Sequence, residues 1–338
     1  MKLGVIAVAL CGLAAIIALI AGNDATAVFG AVAGVGWGLV AVVLVRATIV
    51  STCGFGWARL IRPLVPCRLR TFLFIRWIRE AVNVLLPVAA VGGDLVGGRV
   101  LTFWGVTGGL AAAGILVDLL LQACAQVLFT LTGLGLLLAG GRGGDFAGWV
   151  IVGLLVAAVA LGSFYGAQRF GLFDLFERLM LKAAARWPQA SFGGELRLHD
   201  NIQAIYANRG AVLSSFLLHI VAWFIGAAEI WIALYCMGTH PTIVEALVLE
   251  SLGQAVRGAA FPVPGALGVQ ESGFLLLGQL YGITPEVAIA LSLVKRVPDL
   301  VLGVPGLAAW QFLEARRLLE RRKTSISAVA DPLNLPTE

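Results

Sequence analysis

Two carboxylates follow a proline at the same spacing in an otherwise apolar chain. Asp94 lies seven residues after Pro87, and Glu271 lies seven residues after Pro264. Proline removes a backbone N–H and the nearby glycines free the backbone, so helical hydrogen bonding stops at both places. Helix ends at membrane depth carry partial charges of roughly half an electron, which can hold an ion or a polar headgroup. These stretches therefore predict binding chemistry, with a structural kink as the alternative.

Basic residues within apolar stretches are a second group of candidates. Arg257 precedes the second break, and Lys295 and Arg296 lie in the last apolar run near Asp299. Arginine favours bidentate pairing with phosphate or carboxylate, and an ionisable residue inside a membrane is costly enough to be a functional candidate. We expect at least one of Arg257 and Arg296 to face a central cavity and to bind an anionic headgroup or one of the paired acids. A structural ion pair is the alternative for Lys295 and Arg296 with Asp299.

Other chemistries have little support in the sequence. The five cysteines are scattered and the three histidines lie far apart, which argues against a disulfide framework and a zinc site. We find no nucleophile–base pair and no phosphate-binding loop in a strand context, so we expect no enzyme and no cofactor. The net charge of +5 is attributed to basic loops at a membrane and not to nucleic-acid binding.

Long apolar runs must position these residues. The chain is 59% hydrophobic and 13% charged, whereas soluble domains carry about 25% charged residues. Its apolar runs approach or exceed the ~20 residues that cross a bilayer, and 105–139 has no internal turn signal. We predict an all-α polytopic membrane protein with about six full transmembrane helices and one membrane domain, 1–312, followed by a basic tail, 313–338. The five main runs are 3–22, 28–45, 146–166, 211–235 and 286–312.

Arginine counting predicts the topology. The segments 46–79 and 167–209 and the tail carry most of the basic residues, so we place them, with both termini, in the cytoplasm. The base-poor loops near residues 25, 142 and 239 are placed outside. The segment 71–100 must then begin and end inside, whereas 241–283 must begin and end outside. The sequence thus predicts two inverted re-entrant hairpins, with broken ends meeting near the midplane.

The broken stretches resemble the lysylphosphatidylglycerol synthase transmembrane family, also called flippase-like integral membrane proteins. The residues 83–101, 261–274 and Arg296 carry this resemblance. Within the family, the chain looks most like the membrane proteins encoded beside hopanoid-biosynthesis genes. The resemblance implies a bacterial inner-membrane protein that moves or flips a lipid or a lipid-linked headgroup. Only about 26 residues follow Phe312, so we expect the soluble aminoacyl-transferase domain of the lysyl-transferring members to be absent.

Our primary hypothesis is therefore a lipid transporter with a membrane lipid as its ligand. The main alternative is a non-catalytic membrane partner that holds lipid-biosynthesis enzymes, and a membrane-embedded transferase is a third class. Glycines at 30, 34 and 38 allow a homo-oligomer or, as the favoured alternative, packing within the chain. The substrate-binding candidates come from two sources. The resemblance maps the family motifs onto Asn83, Pro87, Gly92, Gly93, Asp94, Pro264, Gly265, Gly268 and Glu271. The basic residues that neither the cytoplasmic segments nor the outside loops explain add Arg99, Arg257, Lys295 and Arg296.

Overall fold

The computed structural model describes residues 14, 15, 17–86, 92–142, 144–170, 197–260, 263 and 266–330. These residues are mostly helical and include no β-strand. Most of the predicted first run, 3–22, lies outside the described residues. In chain order the helices are α1 Ala25–Gly34, α2 Gly38–Ile61, α3 Leu69–Leu85, α4 Gly92–Leu101, α5 Gly108–Ala139, α6 Gly144–Arg169, α7 Leu198–Ala207, α8 Arg209–Cys236, α9 Ile243–Ala259, α10 Val269–Gln279 and α11 Pro285–Ala330.

Four of the described helices are long and apolar enough to cross a membrane, namely α2, α5, α8 and the Val150–Arg169 part of α6. The chain is thus an all-α polytopic membrane protein, as predicted. Helix α5 has 32 residues, which span about 48 Å at ~1.5 Å per residue, so 105–139 holds one uninterrupted helix. Helix α11 runs through Pro298 and Pro305 as one helix of 46 residues.

We predicted one membrane-crossing helix over 28–45, and this prediction is wrong. A turn at 35–37 separates α1 from α2, and α2 continues to Ile61. Arg46 therefore lies inside a long apolar helix and not in a cytoplasmic loop. It remains there because Glu229 of α8 lies 2.9 Å from its guanidinium, which neutralises the charge. Gly38 packs against α8 of the same chain, where an added Cβ would lie 2.6 Å from Cys236 Sγ.

The helices on the two sides of each break pack together as a hairpin with a long first arm and a short second arm. Helices α3 and α4, of 17 and 10 residues, form hairpin 1. Helices α9 and α10, of 17 and 11 residues, form hairpin 2. The arms pack closely in each, because a Cβ at Gly97 would overlap the Arg79 side chain and one at Gly253 would lie 3.0 Å from Phe274.

Two apolar clusters show how the hairpins are oriented. The first contains the start of α5 at Leu110, the start of α3 at Phe72 and the end of α4 at Leu101. The second contains the end of α5 at Leu137, together with residues from the start of α9 and from α10, including Leu277. Since α5 runs from one cluster to the other, the hairpins enter the helix bundle from opposite ends.

Candidate functional site

A cavity of about 250 Å³ lies between the two hairpins. Helices α2, α3, α5, α8 and α9 form its walls, and α4 contributes one carboxylate. Three arginines and two acids face it, together with amides and an indole, although the surrounding bundle is apolar. The lining residues are Arg46, Ile49, Val50, Cys53, Arg76, Glu80, Asn83, Val84, Asp94, Leu119, Gln122, Ala222, Trp223, Gln254 and Arg257.

Asp94 is the third residue of α4 and is 3% exposed. Its Oδ1 accepts a hydrogen bond from Arg79 Nε at 2.9 Å, and its Oδ2 accepts one from Asn83 Nδ2 at 3.3 Å. The Asn83 side chain also accepts the N–H of Gly93 at 2.7 Å, which caps the start of α4. The first arm of the hairpin therefore holds both the carboxylate and the helix end.

Close packing in hairpin 1 depends on glycine at two positions. A Cβ at Gly93 would overlap the Arg79 carbonyl oxygen and the Asn83 side chain, and one at Gly97 would overlap Arg79 Cγ and Cδ. Helix α4 can therefore approach α3 closely enough for Asp94 to reach both partners.

Arg79 joins the hairpin to a buried carboxylate on α5. Its Nη2 lies 3.0 Å from Asp118 Oδ2, and its guanidinium stacks on Trp57 at 4.7 Å from the ring centroid. His219 Nε2 lies 3.0 Å from the other Asp118 oxygen. Arg79, Asp118 and His219 are all at most 1% exposed, so α3, α4, α5 and α8 share a charge network that excludes water.

The acid of hairpin 2 occupies the same helical position but has different partners. Glu271 is the third residue of α10, and its Oε2 accepts the N–H of Gly268 at 2.8 Å. Gly268 has φ +80, a conformation that glycine adopts at little cost. Arg296 Nη2 and Ser292 Oγ, both on α11, reach Glu271 Oε1 at 2.7 and 3.1 Å. Glu271 thus caps α10 and ties it to α11.

Lys295 belongs to a separate buried network. Its Nζ lies 2.6 Å from Glu250 on α9 and 3.1 Å from Glu229 on α8. Glu229 also binds Arg46, so two cations and two acids join α2, α8, α9 and α11. Lys295 does not line the cavity, whereas Arg46 does.

The predicted candidates separate into several places. Asn83, Asp94 and Arg257 line the cavity. Arg99 does not, because its side chain is 65% exposed and pairs with Glu314 at 2.9 Å. Gly92 is the first residue of α4. Gly93, Gly268, Glu271, Lys295 and Arg296 have the packing and pairing roles described above, away from the cavity lining, and Pro87, Pro264 and Gly265 lie outside the described residues.

Sequence reasoning missed several lining residues. Arg76 was counted with the cytoplasmic arginines, but it is 7% exposed and faces the cavity. The spacing of Arg76, Glu80 and Asn83 held a usable signal, since residues at i, i+4 and i+7 share one helix face. Single amide and indole residues on other helices gave no comparable pattern. The other missed polar or aromatic residues are Arg46, Gln122, Trp223 and Gln254.

The lining suits binding of a polar group. Within the described part of the chain, no cluster of three or more histidine, cysteine, aspartate or glutamate side chains could hold a metal ion. Guanidinium and amide donors outnumber the two carboxylates in the lining, so a ligand rich in acceptor oxygens fits the site.

Comparison with known proteins gives one family. No match is found among curated proteins or among solved structures. The family described as the lysylphosphatidylglycerol synthase TM region matches residues 3–306, which include both hairpins and every cavity-lining residue. The chain therefore belongs to the lysylphosphatidylglycerol synthase transmembrane family.

Proposed function

We propose that this protein binds a membrane lipid by its headgroup in the central cavity and moves it between the two leaflets. The cavity itself carries the proposal, because a protein that serves only as an anchor has no need of a charged cavity inside an apolar bundle. Unpaired polar groups at membrane depth are stable only beside protein or in a wet cavity.

The two hairpins support this function. They enter the bundle from opposite ends, and hairpin 1 and the first arm of hairpin 2 both face the cavity. This arrangement supports a pair of inverted re-entrant hairpins in the bilayer, and inverted repeats of this kind let a central site open alternately to the two sides. Lipid handling also agrees with the family, and a hopanoid-related lipid is one candidate substrate. The proposed setting is a bacterial inner membrane with both termini in the cytoplasm.

A vesicle assay tests the proposal. The purified chain is reconstituted with fluorescent lipids, and transfer between leaflets is followed by chemical quenching of the outer leaflet. Leu119→Trp fills the cavity from α5, and Leu128→Trp makes the same change at a position on α5 that is 44% exposed. We expect Leu119→Trp to lower transfer to the protein-free rate and Leu128→Trp to leave it unchanged.

The opposite results would contradict the proposal. If the unmodified chain transfers no lipid from a panel of phospholipids, glycolipids and hopanoids, the partner role in lipid synthesis becomes the better hypothesis. If both tryptophan variants transfer lipid at the unmodified rate, the cavity is not the transfer site. The proposal involves no covalent step, so the lipids recovered from the vesicles should be chemically unchanged.

A further inference from the structure

Three cations that do not line the cavity have close ionic partners. Arg296 Nη2 lies 2.7 Å from Glu271, and Lys295 Nζ lies 2.6 Å from Glu250. Arg79 Nη2 lies 3.0 Å from Asp118. Charge-assisted hydrogen bonds between nitrogen and carboxylate oxygen are usually about 2.7–2.9 Å long. Close carboxylates thus neutralise these three cations within the protein.

Two of the cavity arginines are paired more loosely. The contacts of Arg76 with Gln122, Glu80 and Asp118 are 3.4, 3.5 and 3.6 Å long. Arg257 lies 3.6 Å from Asp299, the acid with which it pairs among the described residues. These distances neutralise a charge in part, but they are longer than those of a fully formed charge-assisted hydrogen bond.

Buried donors add a second, independent observation. The Nε atoms of Arg46 and Arg76 are buried, and neither has a hydrogen-bond partner among the described residues. Both side chains line the cavity, and both residues are more than nine-tenths buried. A buried donor without an acceptor is costly, so these two Nε atoms call for an acceptor such as a water, an ion or a ligand oxygen.

From the loose pairing and the free donors we infer that Arg46, Arg76 and Arg257 form a binding site for a phosphate group. The inference rests on the proposed function and specifies the part of the lipid that the cavity recognises. The three guanidiniums come from α2, α3 and α9, so they approach a ligand from different directions. A tetrahedral phosphate offers acceptor oxygens in several directions, and guanidinium binds phosphate in a bidentate geometry.

The remaining lining fits a headgroup attached to that phosphate. Gln122, Gln254 and Asn83 add amide donors and acceptors suited to hydroxyl groups. An apolar cavity of ~150 Å³ accepts benzene, so about 250 Å³ is sufficient for a small phosphorylated headgroup. Glu80 and Asp299 remain close enough to neutralise Arg76 and Arg257 when no phosphate is bound.

The full chain in vesicles tests the inference with two lipids. Phosphatidylglycerol carries a phosphodiester, whereas a monoglucosyl diacylglycerol carries a neutral sugar without phosphate. We expect the unmodified chain to transfer phosphatidylglycerol faster and to bind it more tightly in detergent. Arg257→Gln should remove this preference, and Arg257→Lys should restore part of it. Arg76→Gln should also weaken the preference for phosphatidylglycerol. If the Arg76→Gln variant does not fold, the result for Arg257→Gln decides the test.

Arg99→Gln is the matched control because it removes a guanidinium that pairs with Glu314 outside the cavity. It should keep the preference for phosphatidylglycerol. If inorganic phosphate competes with phosphatidylglycerol for binding, the site recognises the phosphate group alone. If the lipid binds and inorganic phosphate does not compete, the site requires a phosphate that is linked to a lipid. Both results support the inference. Equal transfer of the two lipids, or an Arg257→Gln variant that keeps the preference, would overturn it while leaving lipid transfer intact. A chain that transfers neither lipid would contradict the proposed function itself.

Discussion

Asp94 and Glu271 occupy the same place in two hairpins, since each is the third residue of the second arm. Their partners differ. Asp94 is held by Arg79 and Asn83 from the first arm of its own hairpin. Glu271 is held by Arg296 and Ser292 from α11, a helix outside its hairpin. A repeated backbone arrangement therefore carries two different charge arrangements.

This difference separates two roles. Hairpin 1 contains its own ion pair and presents Asp94 and Asn83 to the cavity. Hairpin 2 uses its acid to fasten α10 to α11, and it presents residues of its first arm, Gln254 and Arg257, to the cavity instead. Movement of hairpin 1 can leave the pair of Asp94 and Arg79 intact, although the contact between Arg79 and Asp118 of α5 would have to break. Movement of α10 away from α11 breaks the contact of the hairpin acid itself, between Glu271 and Arg296.

The first prediction concerns the opposite orientation of the two hairpins, for which we expect all-or-none labelling of cysteines. The native cysteines are first replaced. Pro63→Cys then lies in the loop before α3, at the end of the bundle from which hairpin 1 enters, and Thr239→Cys lies before α9, at the end from which hairpin 2 enters. A membrane-impermeant maleimide added to intact cells should label residue 239 and not residue 63. Residue 63 should be labelled only after the membrane is opened.

Labelling of both positions in intact cells would show that the two ends do not lie on opposite sides of the membrane. Labelling of residue 63 alone would reverse the predicted orientation while preserving the inverted arrangement. Arg142→Cys provides a control, because its loop follows α5 and should label like residue 239.

The second prediction compares the two arginines that bind the acids. Arg79 contacts two buried carboxylates and its side chain is 1% exposed, whereas the Arg296 side chain is 19% exposed. Loss of one partner from a buried ion pair costs about 3–5 kcal/mol. Arg79→Gln should therefore lower the free energy of unfolding by about that amount, and Arg296→Gln should lower it less. Unfolding in detergent micelles measures both, and equal losses would contradict the asymmetry between the hairpins.

Several features of the fold could be predicted from residue order alone. The uninterrupted α5 follows from an apolar stretch with no turn signal in its middle, and the hairpins follow from proline and glycine breaks. Arg46 could not be placed in this way. A charge within an apolar run suggests a helix end unless its partner is known, and Glu229 lies 183 positions away along the chain.

Residue order alone identified only some of the side chains that line the cavity, for a similar reason. Arg99 and Arg257 were both candidates, because each is a cation that the predicted loops do not explain. The rotation of each helix decides which of them faces the cavity, and that rotation depends on packing against distant helices. Arg257 faces inward from α9, whereas Arg99 lies at the surface near α11.

The third prediction compares how tightly the arms pack. A Cβ at Gly97 would overlap the Arg79 side chain, whereas one at Gly273 would lie 3.0 Å from Val256 Cγ1. Overpacking costs about 1–3 kcal/mol, so Gly97→Ala should destabilise the protein by that amount. Gly273→Ala should have little effect, since alanine gains roughly 0.5–1 kcal/mol in a helix, which offsets mild crowding. Thermal unfolding of both variants in micelles measures the difference, and similar melting temperatures would show that the hairpins pack alike.

The smallest effect is expected where hairpin 1 meets α11. Arg99 pairs with Glu314 through two contacts, of 2.9 and 3.1 Å, but the Arg99 side chain is 65% exposed. Exposed ion pairs contribute about 0–1 kcal/mol, because water screens the charges and both side chains lose freedom. A double-mutant cycle of Arg99→Gln and Glu314→Gln should thus give a coupling energy below about 1 kcal/mol. A coupling energy as large as the loss of unfolding free energy in Arg79→Gln would show instead that this contact holds α4 firmly against α11. Hairpin 1 would then be attached to the last helix as firmly as hairpin 2 is.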